Sequence, residues 1–154
     1  MYSAAQPPGI PQAMTHRNQR GAPQHAPVDK GTCILIVDDD RQSSMALTFM
    51  LTARGYTEVR AVRSAARAVT VADSFRPGIV FLDIELPDQG SLVLAERLRR
   101  GAKQQAMRLI ALTRSVEHAG REDARLAGFE RFLVKPLVQA ELDKILRLPL
   151  DLPT

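Results

Sequence analysis

The sequence has one cysteine, Cys33. A single thiol forms neither an internal disulfide nor a thiolate metal cluster, so disulfide scaffolds and zinc modules are excluded and a reducing, cytoplasmic setting is the expectation. No apolar run exceeds the length of a strand, far below the roughly 20 residues that span a bilayer, so no membrane association is expected. A secretory leader is not expected either, because the first residues contain no apolar h-region. Strong charge of one sign is also missing: 21 basic residues face 17 acidic ones, a net charge of +4. That surplus divides evenly between residues 1–31, which hold Arg17, Arg20 and Lys30 against Asp29, and the rest of the chain. The local cluster Arg97, Arg99, Arg100 and Lys103 reads as a solvated helix end complementing the backbone dipole. No nucleic-acid partner is expected.

What is present fits one domain with short tails. The 154 residues suffice for one sizeable core, and 45% hydrophobic with 25% charged residues is ordinary globular composition. Residues 1–31 carry Pro7, Pro8, Pro11, Pro23 and Pro27 interspersed with glutamines and show no periodic apolar face, so a disordered tail is expected there. The folded unit is expected over 32–148, with 149–154 as a second tail. Within it, Ile34 to Val37, Ile79 to Leu82, Leu109 to Leu112 and Phe132 to Val134 are continuous apolar runs, the pattern of strands buried on both faces of a parallel sheet. Glu58 to Val62 alternates and reads as an edge strand. Five helices are expected between and after them. The first contains Met45, Leu47, Phe49, Met50 and Leu51 and ends at Gly55, and the second runs from Ala65 to Phe75 before Pro77. The third is capped by Ser91, and the last two span 117–127 and 138–147. Five strand-helix alternations of this length predict an α/β, doubly wound, five-stranded parallel sheet of the flavodoxin-like order 2-1-3-4-5, with function at the carboxyl ends of the strands.

The chemically capable residues fall at those ends. The first strand runs into Asp38, Asp39 and Asp40, the third into Asp83, the fourth into Thr113 and the fifth into Lys135 and Pro136. Carboxylates gathered there repel one another by roughly 4 kcal/mol per pair at about 4 Å and an effective dielectric near 20. A compensating cation is therefore required. Lys135 supplies one charge, and a hard divalent ion with oxygen ligands, Mg2+, supplies the rest; the absence of His and Cys from the cluster argues against zinc and copper. A carboxylate, a metal, an ammonium and a hydroxyl are the parts that in-line phosphoryl transfer to an Asp oxygen needs.

Four separated stretches then match a known family in order and placement. Cys33-Ile-Leu-Ile-Val-Asp-Asp-Asp40, Ile79-Val-Phe-Leu-Asp-Ile-Glu-Leu-Pro-Asp88, Ile110-Ala-Leu-Thr113 and Phe132-Leu-Val-Lys-Pro136 closely resemble the receiver domain of bacterial two-component response regulators, over residues 33–147. The resemblance implies Asp83 as the phosphoacceptor. It implies Asp38 and Asp39 as the acid pair for Mg2+, with Asp83 and the backbone carbonyl of Glu85 completing the metal shell. Lys135 would pair with the phosphoryl group, Thr113 would move towards it, and Phe132 would be the switch aromatic. Asp40 reads as a flanking acid, and the Lys135-Pro136 bond as cis. Arg114 stands where the family usually has a small residue; it either points to solvent or pairs with Glu85 across the site mouth, and such a pair would slow loss of phosphate. Gly90-Ser91 reverses the family's more usual order, which affects loop geometry and the cap.

The implied protein is a stand-alone, chemotaxis-type receiver. It would take its phosphoryl group from a sensor histidine kinase or histidine phosphotransfer protein docked near the first helix and the loop at Pro136 to Val138. It would signal to a downstream protein target through the surface of helix 117–127, the fifth strand and helix 138–147. Two rivals differ in class. A pseudo-receiver would bind partners without phosphorylation. A haloacid-dehalogenase-like phosphatase would use Asp38 and Asp40 as its D-x-D pair, but Arg41-Gln42 follows where that enzyme wants Gly-Thr.

Overall fold

The structure, a computed structural model, describes residues 28–87, 90–102, 106–115, 117 and 127–147. The elements are β1 (Ile34–Val37), α1 (Arg41–Ala53), β2 (Val59–Val62), α2 (Ala65–Phe75), β3 (Ile79–Asp83), α3 (Ser91–Ala102), β4 (Arg108–Thr113), β5 (Phe129–Val134) and α4 (Gln139–Arg147). All five strands are parallel, in the order β2-β1-β3-β4-β5. Four helices lie among the described residues; the expected helix over 117–127 falls almost wholly outside them. Most of the tail expected at 1–31, and all of that expected at 149–154, also lie outside the described residues.

Side chains alternate across each strand, so consecutive residues feed opposite layers. Leu35, Val37, Val80 and Leu82 pack beneath α2 and α3 together with Ala68, Phe75, Leu94 and Leu98. Ile34, Ile36, Ile79 and Phe81 face the other way, onto Leu47 and Leu51 of α1 and Leu142, Ile145 and Leu146 of α4. β1, β3 and β4 are buried residue by residue, which is why they read as unbroken apolar runs.

The start of β5 and the burial of Val28 differ from expectation, and α1 buries little of its apolar content. β5 begins at Phe129, three residues early, because it is an edge strand whose Glu130 and Arg131 face solvent and interrupt the apolar signal. In α1 only Ser44, Leu47 and Leu51 are buried, whereas Met45 and Phe49 are 64% and 73% exposed. Val28, inside the expected tail, is buried; its amide donates to the Leu146 carbonyl at 2.6 Å and its carbonyl accepts from the Tyr56 hydroxyl at 3.0 Å. The folded unit thus starts before Thr32. None of the described helices is long and apolar enough to cross a membrane.

Candidate phosphoryl-transfer site

Parallel strands bring every carboxyl end to one edge. Ladder bonds continue past the strands and fix the first residue beyond each: Asp38 N donates to Val62 O at 3.1 Å, Ile84 N to Leu112 O at 3.0 Å and Lys135 N to Thr113 O at 2.7 Å. Asp38 and Asp83 are buried, and Lys135 reaches between them with its side chain 6% exposed. The Lys135 Nζ lies 2.8 Å from Asp38 Oδ2 and 3.2 Å from Asp83 Oδ2. The Lys135-Pro136 bond is cis. Two backbone amides hold the remaining oxygens: Asp40 N donates to Asp38 Oδ1 at 2.9 Å, and Glu85 N to Asp83 Oδ1 at 2.7 Å.

Burial is the main influence on Asp83 and raises its pKa; the Glu85 amide and Lys135 oppose this, and nearby Asp38 adds to it. Burial works against the Lys135 ammonium, but Asp38 and Asp83 outweigh it and the pKa rises. The cluster therefore holds a firm cation against a carboxylate that ionises reluctantly. The folded state keeps the Asp83 proton to higher pH than the unfolded chain, so this group's contribution to stability is best below its ordinary value of 3.8 and declines as pH rises through the raised pKa. Asp83→Asn removes that penalty and is expected to stabilise the fold by about 1 kcal/mol at pH 7.5, read as a higher urea midpoint, with less gain at pH 4.

Asp39 is exposed and completes a group with Asp38 and Asp83 in which one carboxylate oxygen of each lies within 4.8 Å of the others. Three hard oxygen donors with one ammonium leave excess negative charge, so the donor set fits a divalent ion such as Mg2+.

Thr113, the last residue of β4, donates its hydroxyl proton to Glu85 Oε2 at 2.9 Å and accepts from Ser115 N at 3.0 Å. Glu85 Oε1 accepts from the Arg114 amide at 3.3 Å. Of the two alternatives for the Arg114 guanidinium, solvent or Glu85, the structure shows neither as its ion pair. Arg114 instead reaches Asp40 Oδ2 at 3.1 Å. Asp40 is more than a flanking acid: it caps α1, its Oδ1 accepting from Gln42 N and Ser43 N at 3.1 and 3.5 Å. Ser91 is not a cap. It is the first residue of α3, and its hydroxyl donates to the Asp83 carbonyl at 2.8 Å, tying the start of α3 to the end of β3. Phe132 is half-buried, with its ring 6.2 Å from that of Phe129. Ser91's contact and the Glu85 hold on Thr113 left no sequence signal, because both depend on loop conformation.

Comparison with known proteins agrees with this geometry. The family model described as response regulator receiver domain matches residues 34–147. The chain is 26% identical over 104 residues to the polar-differentiation response regulator DivK of Brucella anthropi, covering 68% of this chain and 84% of that protein. Among solved structures it resembles a CheY-like receiver domain from Methylobacillus flagellatus, at 27% identity and TM-score 0.67, over 75% of this chain and 96% of that one. It also resembles the receiver domain of a sensor histidine kinase from Pseudomonas aeruginosa, solved with magnesium coordinated in its active-site cleft, at 30% identity and TM-score 0.67, over 75% and 94% of the two chains.

Proposed function

Because this chain belongs to the response regulator receiver domain family of two-component signalling, we propose that it accepts a phosphoryl group from phosphohistidine onto Asp83 and signals by the resulting change of conformation. An Asp83 oxygen attacks phosphorus, the N–P bond to the donor imidazole breaks, and an acyl phosphate forms while the imidazole leaves with a proton from solvent. Lys135 is placed to neutralise the incoming phosphoryl oxygens and to orient Asp83. Asp38, Asp39, Asp83 and the Glu85 carbonyl would hold Mg2+, which supplies charge neutralisation at the transferring group. The observation that carries this reading is the Lys135 ammonium within 3.2 Å of both Asp38 and Asp83.

Thr113 and Phe132 form the switch in this reading, and Glu85 and Arg114 modulate it. Glu85 holds the Thr113 hydroxyl in the resting arrangement, so reorientation towards the phosphate requires that bond to break. Arg114 spans the mouth to Asp40 and shields the acyl phosphate from water. Arg114→Ala is expected to shorten the phosphorylated lifetime severalfold, measured as loss of label after removal of donor; an unchanged decay would remove this role. The donor, a histidine kinase or phosphotransfer protein, docks on α1, where exposed Met45 and Phe49 supply an apolar contact beside the site.

The direct test is incubation with acetyl phosphate and Mg2+ followed by intact mass. Wild type is expected to gain one phosphoryl group and Asp83→Asn none. An adduct on both proteins, or on neither, would count against the assignment, and the latter would favour a binding module without phosphorylation.

A further inference from the structure

At the opposite end of the sheet from Asp83, a cavity of about 360 Å³ opens between α2 and α3. That volume falls within the range of ligand sites. Its floor is apolar, made by Val69 and Ala72 of α2, Leu98 of α3 and Met107 ahead of β4, and Arg76 and Arg97 line it as well. Pro77 in the same wall is six residues before Asp83, roughly 20 Å along an extended chain, so the groove is remote from the phosphoryl-transfer chemistry.

Basic residues outnumber acidic ones in the described lining. Arg97 is exposed and has no acidic partner among the described residues. Asp73 is the one acidic residue of the lining. The basic cluster that reads in sequence as a helix end is thus split. Arg99 turns inward to the Gly128 carbonyl at 2.7 Å, while Arg97 joins the groove.

We propose that this groove docks an acidic polypeptide segment, seating one apolar side chain between α2 and α3 and setting carboxylates against Arg97 and Arg76. Charge selects this occupant. Residues 1–27 of the chain itself carry Arg17 and Arg20 and no acidic residue, so they are repelled. A nucleic-acid backbone would satisfy the arginines but leave the aliphatic floor unused. A compact anion would likewise leave that floor uncovered. The site needs no phosphate on Asp83, so it recruits its partner in both signalling states.

Gly101 lines the groove, and a Cβ placed there meets no atom within 4 Å, so Gly101→Leu adds bulk to the groove from a position with open space at its Cβ. Fluorescence anisotropy of the full chain with a short labelled peptide, one central leucine flanked by aspartates, tests the proposal. Wild type and Asp83→Asn are expected to bind alike and saturably. Gly101→Leu, Arg97→Glu on the exposed surface, and a peptide with serine for leucine are each expected to bind at least about tenfold more weakly. No saturable binding would overturn the proposal. So would undiminished binding by folded Gly101→Leu or by Arg97→Glu, or tighter binding of an oligothymidylate than of the peptide. Failure here leaves phosphorylation of Asp83 untouched, and loss of phosphorylation leaves this site untouched.

Discussion

Lys135→Met should lower unfolding stability by about 3 kcal/mol at neutral pH in metal-free buffer, a large share of a total on the order of 10 kcal/mol. The substitution keeps most of the stem and removes only the ammonium, so lost packing is a minor part of the effect. What remains is two carboxylates with side chains 1% and 4% exposed, deprived of the cation that lies 2.8 and 3.2 Å away. Breaking one side of a buried pair is costly because the other side stays desolvated, and here two groups are stranded. Millimolar Mg2+ should recover part of the loss by binding the folded state alone. Urea denaturation with and without metal measures both. A loss below about 0.5 kcal/mol would mean that the ammonium does not hold the acidic edge together. The opposite sign expected for Asp83→Asn makes the pair informative, since a general loss of packing would lower both.

Arg108→Ala is expected to cost about 2–3 kcal/mol and to lower the melting temperature by on the order of 10 °C. Arg108 opens β4 and is 2% exposed, an unusual place for a guanidinium. Its Nε and one terminal nitrogen lie 2.8 and 2.7 Å from Glu130 Oε2 on β5, and the other terminal nitrogen donates to the Ile145 carbonyl of α4 at 3.0 Å. One side chain therefore fastens an edge strand and the last helix to the middle of the sheet. Truncation leaves a cavity, an unpaired carbonyl and a carboxylate without its guanidinium partner. Arg108→Met fills much of the space and should recover less than half of the loss if the polar contacts dominate. Full recovery would show that packing alone matters.

These two residues illustrate what sequence carries and what it does not. β1 and β3 are legible because both their faces are covered, so every residue from Ile34 to Val37 and Ile79 to Leu82 must be apolar. The acidic edge is legible for a related reason: parallel strands deliver their carboxyl ends together, so Asp38, Asp83, Thr113 and Lys135 converge from any correct strand assignment. Exposure on one side erases the signal, as at Glu130 and Arg131 of β5. The same applies to α1, where Met45 and Phe49 look like core and face solvent. Partner choice within loops is less legible still. Arg114 pairs with Asp40, while Glu85 accepts from Thr113 and the Arg114 amide, and such loop geometry has no sequence period.

The hydrogen bond from Val28 to Leu146 has a practical corollary. It joins the first described residue to the end of the last helix, at the edge where the strands begin and not where they finish. A short linker from residue 147 back to residue 28 would close the chain into a ring, leaving it to be cut at an exposed connection elsewhere as a circular permutant. For the same reason, a surface tether attached at residue 28 or residue 147 should present the carboxylate edge outward.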